Sequence, residues 1–328
     1  MYRPVIQINI GKNDFDFVTA GDFSSSWQTF TDTGVLVLPH KFVKNKKTIY
    51  AGDGVFKKGD PVRIKAGYFP KKELVFEGYV AGIKPSIPVE IALADAAFLL
   101  KQVTITLSFE SISLKDLLSA CLSEAIGKST GYVREGLKRV KIEAADAQLG
   151  AFRITRVNMV QVLEQLKKTY ALTSYFRGHD LFVGLAYNLG GKREKLTFYK
   201  DIISDDLEYL KADDIRIKIK AISLLESGGK IEVDAGDPDG DTRTLFKYNV
   251  SERELKAMAE REASRFRFDG FRGSITTFLT VVFKHGDEVE LVDPKIPERD
   301  GIYLIEAVDI EVGVNGYFQT LKLGAKIG

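Results

Sequence analysis

Residues 233–246, VDAGDPDGDTRTLF, place four aspartates (Asp234, Asp237, Asp239 and Asp241) within eight positions. Carboxylates at alternate positions suit a calcium loop, which needs oxygen ligands at positions 1, 3 and 5, a glycine at 6 and a bidentate glutamate at 12. Asp237, Asp239 and Asp241 fill the first three places, but Thr242 stands where the glycine is needed and Tyr248 where the glutamate is needed. The flanks alternate: Ile231 and Val233 against Glu232 and Asp234, then Phe246 and Tyr248 against Leu245 and Lys247. Pro238 presets φ and Gly240 supplies positive φ, so the stretch predicts a β-hairpin over 231–248, its tip at Asp237–Gly240, without calcium.

Other chemistry-bearing residues fall short of their motifs. Gly127-Lys128-Ser129 resembles the end of a phosphate-binding loop, but the glycine required five positions earlier is Leu122. The segment closes a helical pattern, where the helix field favours cations over phosphate, so it reads as a C-cap at Gly127. Cys121 lies on the apolar face of that pattern and has no reason to ionise. His40, His179 and His285 are scattered through turn-like contexts, and neither an HExxH nor a G-x-S-x-G pattern occurs. Arg265, Arg267 and Arg272 interleave with Phe266, Phe268 and Phe271. Such a pattern can stack on single-stranded nucleic acid, and the simpler account is a helix end running into an alternating strand. The expectation is a chain with no catalytic residues, metal site or cofactor, and no stable nucleic-acid binding.

The elements that would position any site come from the wider pattern. The chain has 328 residues, 45% of them hydrophobic, which suits two or three domains with real cores. A single cysteine excludes an internal disulfide. No apolar run of about 18 residues predicts a membrane span, and the N-terminus alternates like a strand rather than forming a signal peptide. The net charge of +2 conceals a split. Residues 1–104 carry 14 basic and 10 acidic side chains, residues 105–197 carry 14 and 9, and residues 198–328 carry 19 and 26.

Residues 1–104 read as short strands, at Val5–Ile10, Val35–Leu38, Pro61–Lys65, Leu74–Val80 and Val89–Leu93, separated by Gly, Pro and Asp clusters. The basic run 41–47, KFVKNKK, reads as a solvated loop or strand end. Residues 105–197 read as an α/β module. Ser113 and Asp116 open one helix, Asn158 and Gln161 a second, and a strand pair turns at Arg177–Asp180. Residues 198–328 return to β with a helix inserted near 251–267, opened by Ser251 and Glu254. Within 213–227, Ile215, Ile217 and Ile219 alternate with Arg216, Lys218 and Lys220, a strand with one buried and one basic face. That basic face is a candidate for the lumen or rim of a ring, and an ordinary solvent-facing strand is the simpler reading. An internal echo pairs Gly59, Asp60 and Val62 with Gly286, Asp287 and Val289, each followed by strand–turn–strand. The fold expected is mainly β with α+β insertions, two similar small β-barrels plus a small α/β module.

The succession GDPVRIKAGY, LVFEGYVAGI, IALADAAFLLKQ, ISLKDLLSACL, FRITRVNMVQVLEQLKKTYALTSYF, HDLFVGLAY and HGDEVELVD…GIYLIEAVDIEVGVNGYFQTLKLG covers most of the chain. In this order it resembles the baseplate or tail hub proteins of contractile-tailed phages, including the Mu-like tail proteins and the late control D group. It is also similar to the N-terminal part of VgrG-type spike proteins. The resemblance implies a homotrimer with two barrels per chain, six barrels forming a pseudo-sixfold ring between the tail tube and a threefold spike. It implies tube and spike proteins as partners, a separate spike protein, a place in the virion tail or baseplate with assembly in the bacterial host cytoplasm, and no catalytic residues to carry over. The alternative is a β-rich cell-wall hydrolase or carbohydrate-binding module, which needs a carboxylate pair in a cleft with one raised pKa.

Overall fold

The computed structural model describes residues 3–44, 47–50, 54–144, 147–170, 172–184, 191–225, 229–267 and 270–327. The first region supplies β1 (Pro4–Ile10), β2 (Asn13–Phe15), β3 (Ala20–Ser26), β4 (Thr33–Leu38), β5 (Lys41–Lys44), β6 (Lys47–Tyr50), β7 (Pro61–Tyr68), β8 (Glu73–Lys84) and β9 (Val89–Ala94). Strand period 2 does what the sequence implies: Ile6, Ile8 and Ile10 of β1, and Val62, Ile64 and Ala66 of β7, all point into one core. The basic run at 41–47 covers β5 and the start of β6, with residues 45 and 46 outside the described ones.

The middle region holds α1 (Ala97–Leu100), β10 (Thr104–Ser113), α2 (Leu114–Lys128), α3 (Gly131–Leu137), β11 (Lys141–Ala144), β12 (Gln148–Asn158), α4 (Met159–Tyr170), β13 (Thr173–Arg177) and β14 (Asp180–Gly184). Two small sheets result, an antiparallel β10–β12 pair and a β11–β14–β13 trio. Local chemistry sets the helix starts. Ser113 Oγ accepts from the Asp116 amide at 3.1 Å. Asn158 Oδ1 accepts from the Gln161 amide at 3.0 Å, while Gln161 Oε1 accepts from the Asn158 amide at 2.9 Å, a reciprocal box. α2 continues through Gly127 to Lys128 and caps at Ser129, whose amide donates to Ala125 O and Ile126 O. The C-cap expected at Gly127 is therefore displaced by two residues, because Ser129 closes the last turn in extended backbone.

The last region contains β15 (Arg193–Thr197), β16 (Ile202–Leu210), β17 (Ile217–Leu224), β18 (Lys230–Gly236), β19 (Asp241–Tyr248), α5 (Glu252–Phe266), β20 (Gly270–Phe278), β21 (Glu288–Val292), β22 (Gly301–Gly313) and β23 (Gly316–Lys326). The expected hairpin over 231–248 is corrected here. β18 and β19 do not pair with each other; β17 lies between them, antiparallel to β18 and parallel to β19. The turn at 237–240 straddles the start of β17, with the Asp237 amide donating to Ile217 O at 2.8 Å and the Asp241 amide to Arg216 O at 3.1 Å. The cause is burial. Ile217, Ile219 and Ala221 pack with Leu255, Ala259 and Ala263 of α5, and a strand that deeply buried takes the centre of its sheet. Pro and Gly determine that the chain turns, not which backbone it then pairs with.

β1–β4, β7–β9, β15, β16 and β20–β23 form one 13-stranded sheet. Its main path runs β16-β20-β23-β22-β3-β4-β9-β8-β7-β1-β2, with β21 on β22 and β15 on β21. The first and last regions meet where β3 pairs antiparallel with β22, from Ala20↔Gly313 to Ser26↔Ala307. The chain is mainly β, with several sheets. No pairing among the described residues closes either region into a barrel; the two regions share a sheet and a core in which Ile8, Leu36 and Ile64 join Phe283, Tyr303 and Leu321. A second core fills the middle region and takes in Ile222, Leu224 and Phe246 from β17 and β19.

Removing the Asn158 side chain leaves the Gln161 amide without its cap. Asn158→Ala is expected to lower unfolding free energy in urea by about 1 kcal/mol, and Asn158→Asp to recover most of it.

Candidate functional site

The residues of the internal echo occupy two corners of the large sheet. Gly59 and Gly286 both have positive φ, 88° and 81°, where a side chain would strain the backbone. The Gly59 amide donates to Val80 O at 2.8 Å and the Val80 amide returns a bond to Asp60 O at 2.9 Å. The Gly286 amide donates to Ile305 O at 2.7 Å and the Ile305 amide to Asp287 O at 2.9 Å. Each aspartate side chain closes its own turn: the Lys57 amide donates to Asp60 Oδ2 at 2.8 Å and the Lys284 amide to Asp287 Oδ2 at 2.9 Å. Val62 and Val289, two residues on, are both buried in the shared core. The echo in sequence extends to Lys-x-Gly-Asp, at Lys57 and at Lys284.

Beyond these corners the pairings run in step. Val62 faces Gly78 and Val289 faces Tyr303. The β8–β9 ladder has an irregularity between Val80 and Gly82, and the β22–β23 ladder has one between Ile305 and Ala307. Leu93 faces Gly34, which faces Phe23; Leu323 faces Gly273, which faces Leu207. The order β7-β8-β9-β4-β3 in the first region is thus matched by β21-β22-β23-β20-β16 in the last. The flanking strands differ, since β1 runs antiparallel to β7 and β15 parallel to β21.

Lys218 and Lys220 lie on β17 of the β18–β17–β19 sheet and Arg216 immediately precedes it. Acids of β18 and its turn answer each one: Arg216 Nε lies 3.8 Å from Asp237, Lys218 Nζ 2.8 Å from Asp234 and Lys220 Nζ 2.9 Å from Glu232. Asp234 and Asp237 of the aspartate-rich stretch are therefore ion-pair partners of the basic residues. Asp237 also accepts the Asp239 amide at 3.0 Å, which fixes the turn. Among the described residues no group of three or more His, Cys, Asp or Glu is placed to hold a metal ion.

The structure brings together titratable groups that the sequence gave no reason to associate. Asp32 follows β3 and Asp95 follows β9, and each binds the other's backbone or is bound by it. The Asp32 amide donates to Asp95 Oδ2 at 2.9 Å and the Asp95 amide to Asp32 O at 3.0 Å. Asp95 Oδ1 accepts the Ala97 amide at 2.9 Å, and Asp32 Oδ2 accepts Ser25 Oγ at 2.8 Å. Burial raises the Asp32 carboxyl to about 6 despite the bonds from Ser25 and Ser26 and the charges of Lys284 and Arg177. Burial, reinforced by Asp32, holds Asp95 well above the carboxylate range. The pair lines a cavity of about 60 Å³ with Arg177, Lys284 and His285. Arg177 Nη2 donates to His285 O at 2.6 Å, and burial followed by the Arg177 charge pushes the His285 ring down to about 4. These carboxylate and backbone contacts of Asp95 and Asp32, with the Ser26 amide donating to Asp32 Oδ1 at 3.3 Å, splice the β3–β4 and β9–α1 connections.

Opposite pH dependences follow. A carboxyl raised on folding contributes most below its unfolded pKa and loses that contribution as pH rises through about 6. His285, depressed on folding, contributes fully above its unfolded value and loses it as pH falls through about 4. Asp32→Asn removes the first effect, together with the Asp32 charge that reinforces Asp95, and leaves His285. Relative to the parent it should gain stability between pH 4 and pH 7, by roughly 2 kcal/mol, read from urea midpoints across that range.

No protein-family model matches this sequence, and no curated protein matches it. Solved structures do. A tail protein from Neisseria meningitidis superposes with a TM-score of 0.62 at 14% identity, over 98% of this chain and 96% of that one. The 43 kDa tail protein of prophage MuSo2 from Shewanella oneidensis gives 0.59 at 14% identity, over 98% and 96%. An Escherichia coli component of the type VI secretion system, described as similar to bacteriophage T4 tail proteins, gives 0.58 at 10% identity, over 98% and 77%. The chain has the fold of phage and prophage tail proteins and of a type VI secretion system component.

Proposed function

We propose that this chain is a structural subunit of the baseplate hub of a contractile phage tail, or of a prophage-derived one, forming a homotrimeric ring that joins the tail tube to the central spike. One observation carries the reading: within a single chain, two regions of the same strand order and corner chemistry already sit head to tail through β3 and β22. We take them as two copies of one barrel-like unit. A heterologous contact of this kind closes into a ring when its rotation allows, and two units in each of three chains make six, which matches a sixfold tube to a threefold spike. The charge split supports head-to-tail order. Residues 1–104 carry an excess of 4 positive charges and residues 198–328 an excess of 7 negative charges, so neighbours of opposite sign meet. Screening over ~8 Å confines that effect to charges near the contact.

The fold likeness to tail proteins supports a place in the virion tail and a non-enzymatic role. The alternative of a cell-wall hydrolase has a carboxylate pair with raised pKa values, Asp32 and Asp95, but both side chains are engaged by backbone amides of the chain itself.

Light scattering at tens of micromolar should give three times the 36.5 kDa chain, with dissociation favoured by high salt. A monomer at low salt, or release of peptidoglycan fragments by the pure protein, would count against the reading.

A further inference from the structure

The same correspondence leaves one contact unmade. In the last region β22 has two neighbours beyond Ile305: β23 on one side and β3 on the other, over Ala307–Gly313. In the first region the matching strand β8 has one neighbour beyond Val80. β9 pairs with Gly82–Lys84, and β7 reaches no further than Tyr79. The strand that corresponds to β3 is β16, which ends the sheet path and, among the described residues, pairs only with β20. Its outer edge is nine residues long, and Ile203 and Tyr209 are among the molecule's few exposed large apolar side chains. A long unpaired edge with exposed apolar residues templates another strand unless something covers it.

We propose that β16 of one chain pairs antiparallel with the open edge of β8 in a second copy, in the register that β3 and β22 use inside the chain. This rests on the ring reading and specifies its seam. Val80 corresponds to Ile305, so Gly82, Ile83 and Lys84 correspond to Ala307, Val308 and Asp309. Through their pairings with β4 and β20, Ser24 and Ser25 correspond to Glu208 and Tyr209. Within the chain, Asp309 faces Ser24 and Val308 faces Ser25, and Ser24 Oγ donates to Asp309 at 2.5 Å. Across the seam, Lys84 then faces Glu208 and Ile83 faces Tyr209. The serine–aspartate bond becomes an ion pair, and an exposed aromatic gains an aliphatic partner. Pro85, which has no amide hydrogen, ends the ladder. Charge fits as well: β16 carries Asp205, Asp206 and Glu208 and no cation, while the open stretch of β8 ends in Lys84, whose present partner, Glu90, is an exposed ion pair at 3.1 Å. The occupant is a second copy of this chain, because the chain holds both halves of the seam and cannot join its own.

The double variant Lys84→Cys with Glu208→Cys tests the register. Directly opposed strand residues fall within disulfide reach, and residues two places out of register do not. Cys121 is fully buried and its thiol is pushed up to about 12, so it stays out of the exchange. Oxidation should give covalent dimers and trimers, none larger, that collapse on reduction. Lys84→Cys with Asp206→Cys should give few. A trimer by light scattering without the Lys84–Glu208 link overturns the seam and leaves the ring. A monomer without the link overturns the ring. As a second measure, Lys84→Glu should raise the trimer dissociation constant roughly tenfold over three seams, and adding Glu208→Lys should restore it. Failure of the swap to restore assembly counts against the pairing.

Discussion

Unpaired strand edges are the constraint on which this structure rests. Each backbone amide and carbonyl of a strand needs a partner, and an edge left open offers a template to any other chain. Here the edge of β3 is covered by β22, and that ladder joins regions separated by almost the whole sequence, Ala20 to Gly313 and Ser26 to Ala307. The shared core follows from it. Once β3 and β22 are neighbours, Phe23 and Ile310 stand opposite each other, and residues such as Leu36 and Leu321 belong to the same apolar cluster.

Around that sheet the remaining parts act as inserts that secure its corners. The middle region buries its own core and supplies Phe176 and Arg177 to the junction beside Asp32 and Asp95. Arg177 reaches His285 O, so the module is tied to the last region at the corner that begins with Lys284 and Gly286. The β17–β19 sheet and α5 form a third packed unit, inserted between β16 and β20, and its basic strand is neutralised by its own neighbour β18. In both regions the inserts fall in connections of the sheet and leave the order of five strands unchanged. Burial favours the neutral forms of Asp95 and His285, and the Asp32 and Asp95 carboxyls accept backbone amides of neighbouring strands and connections, so these groups hold the corner together.

Features that depend on neighbours a few residues apart can be read from the chain directly. Alternation in β1, β7 and β9 follows from strand period, and the starts of α2, α4 and α5 follow from side chains that cap their own helix, Ser113, Asn158 and Ser251. The Gly-Asp echo was legible because a positive-φ corner closed by an aspartate needs those residue types in that order. Tertiary structure alone decided the rest. Pro238 and Gly240 mark a turn, but burial of Ile217 and Ile219 against α5 placed β17 between the two strands they connect. Strand β10 alternates in sequence, Ile105, Leu107 and Phe109 against Thr104, Thr106 and Ser108, but its register with β12, shifted at three places, follows from the pairing and not from that pattern. The meeting of Asp32, Asp95, Arg177 and His285, and the joining of β3 to β22, rest on contacts between residues tens to hundreds of positions apart, where free energy comes from packing and edge satisfaction and leaves no local pattern to read.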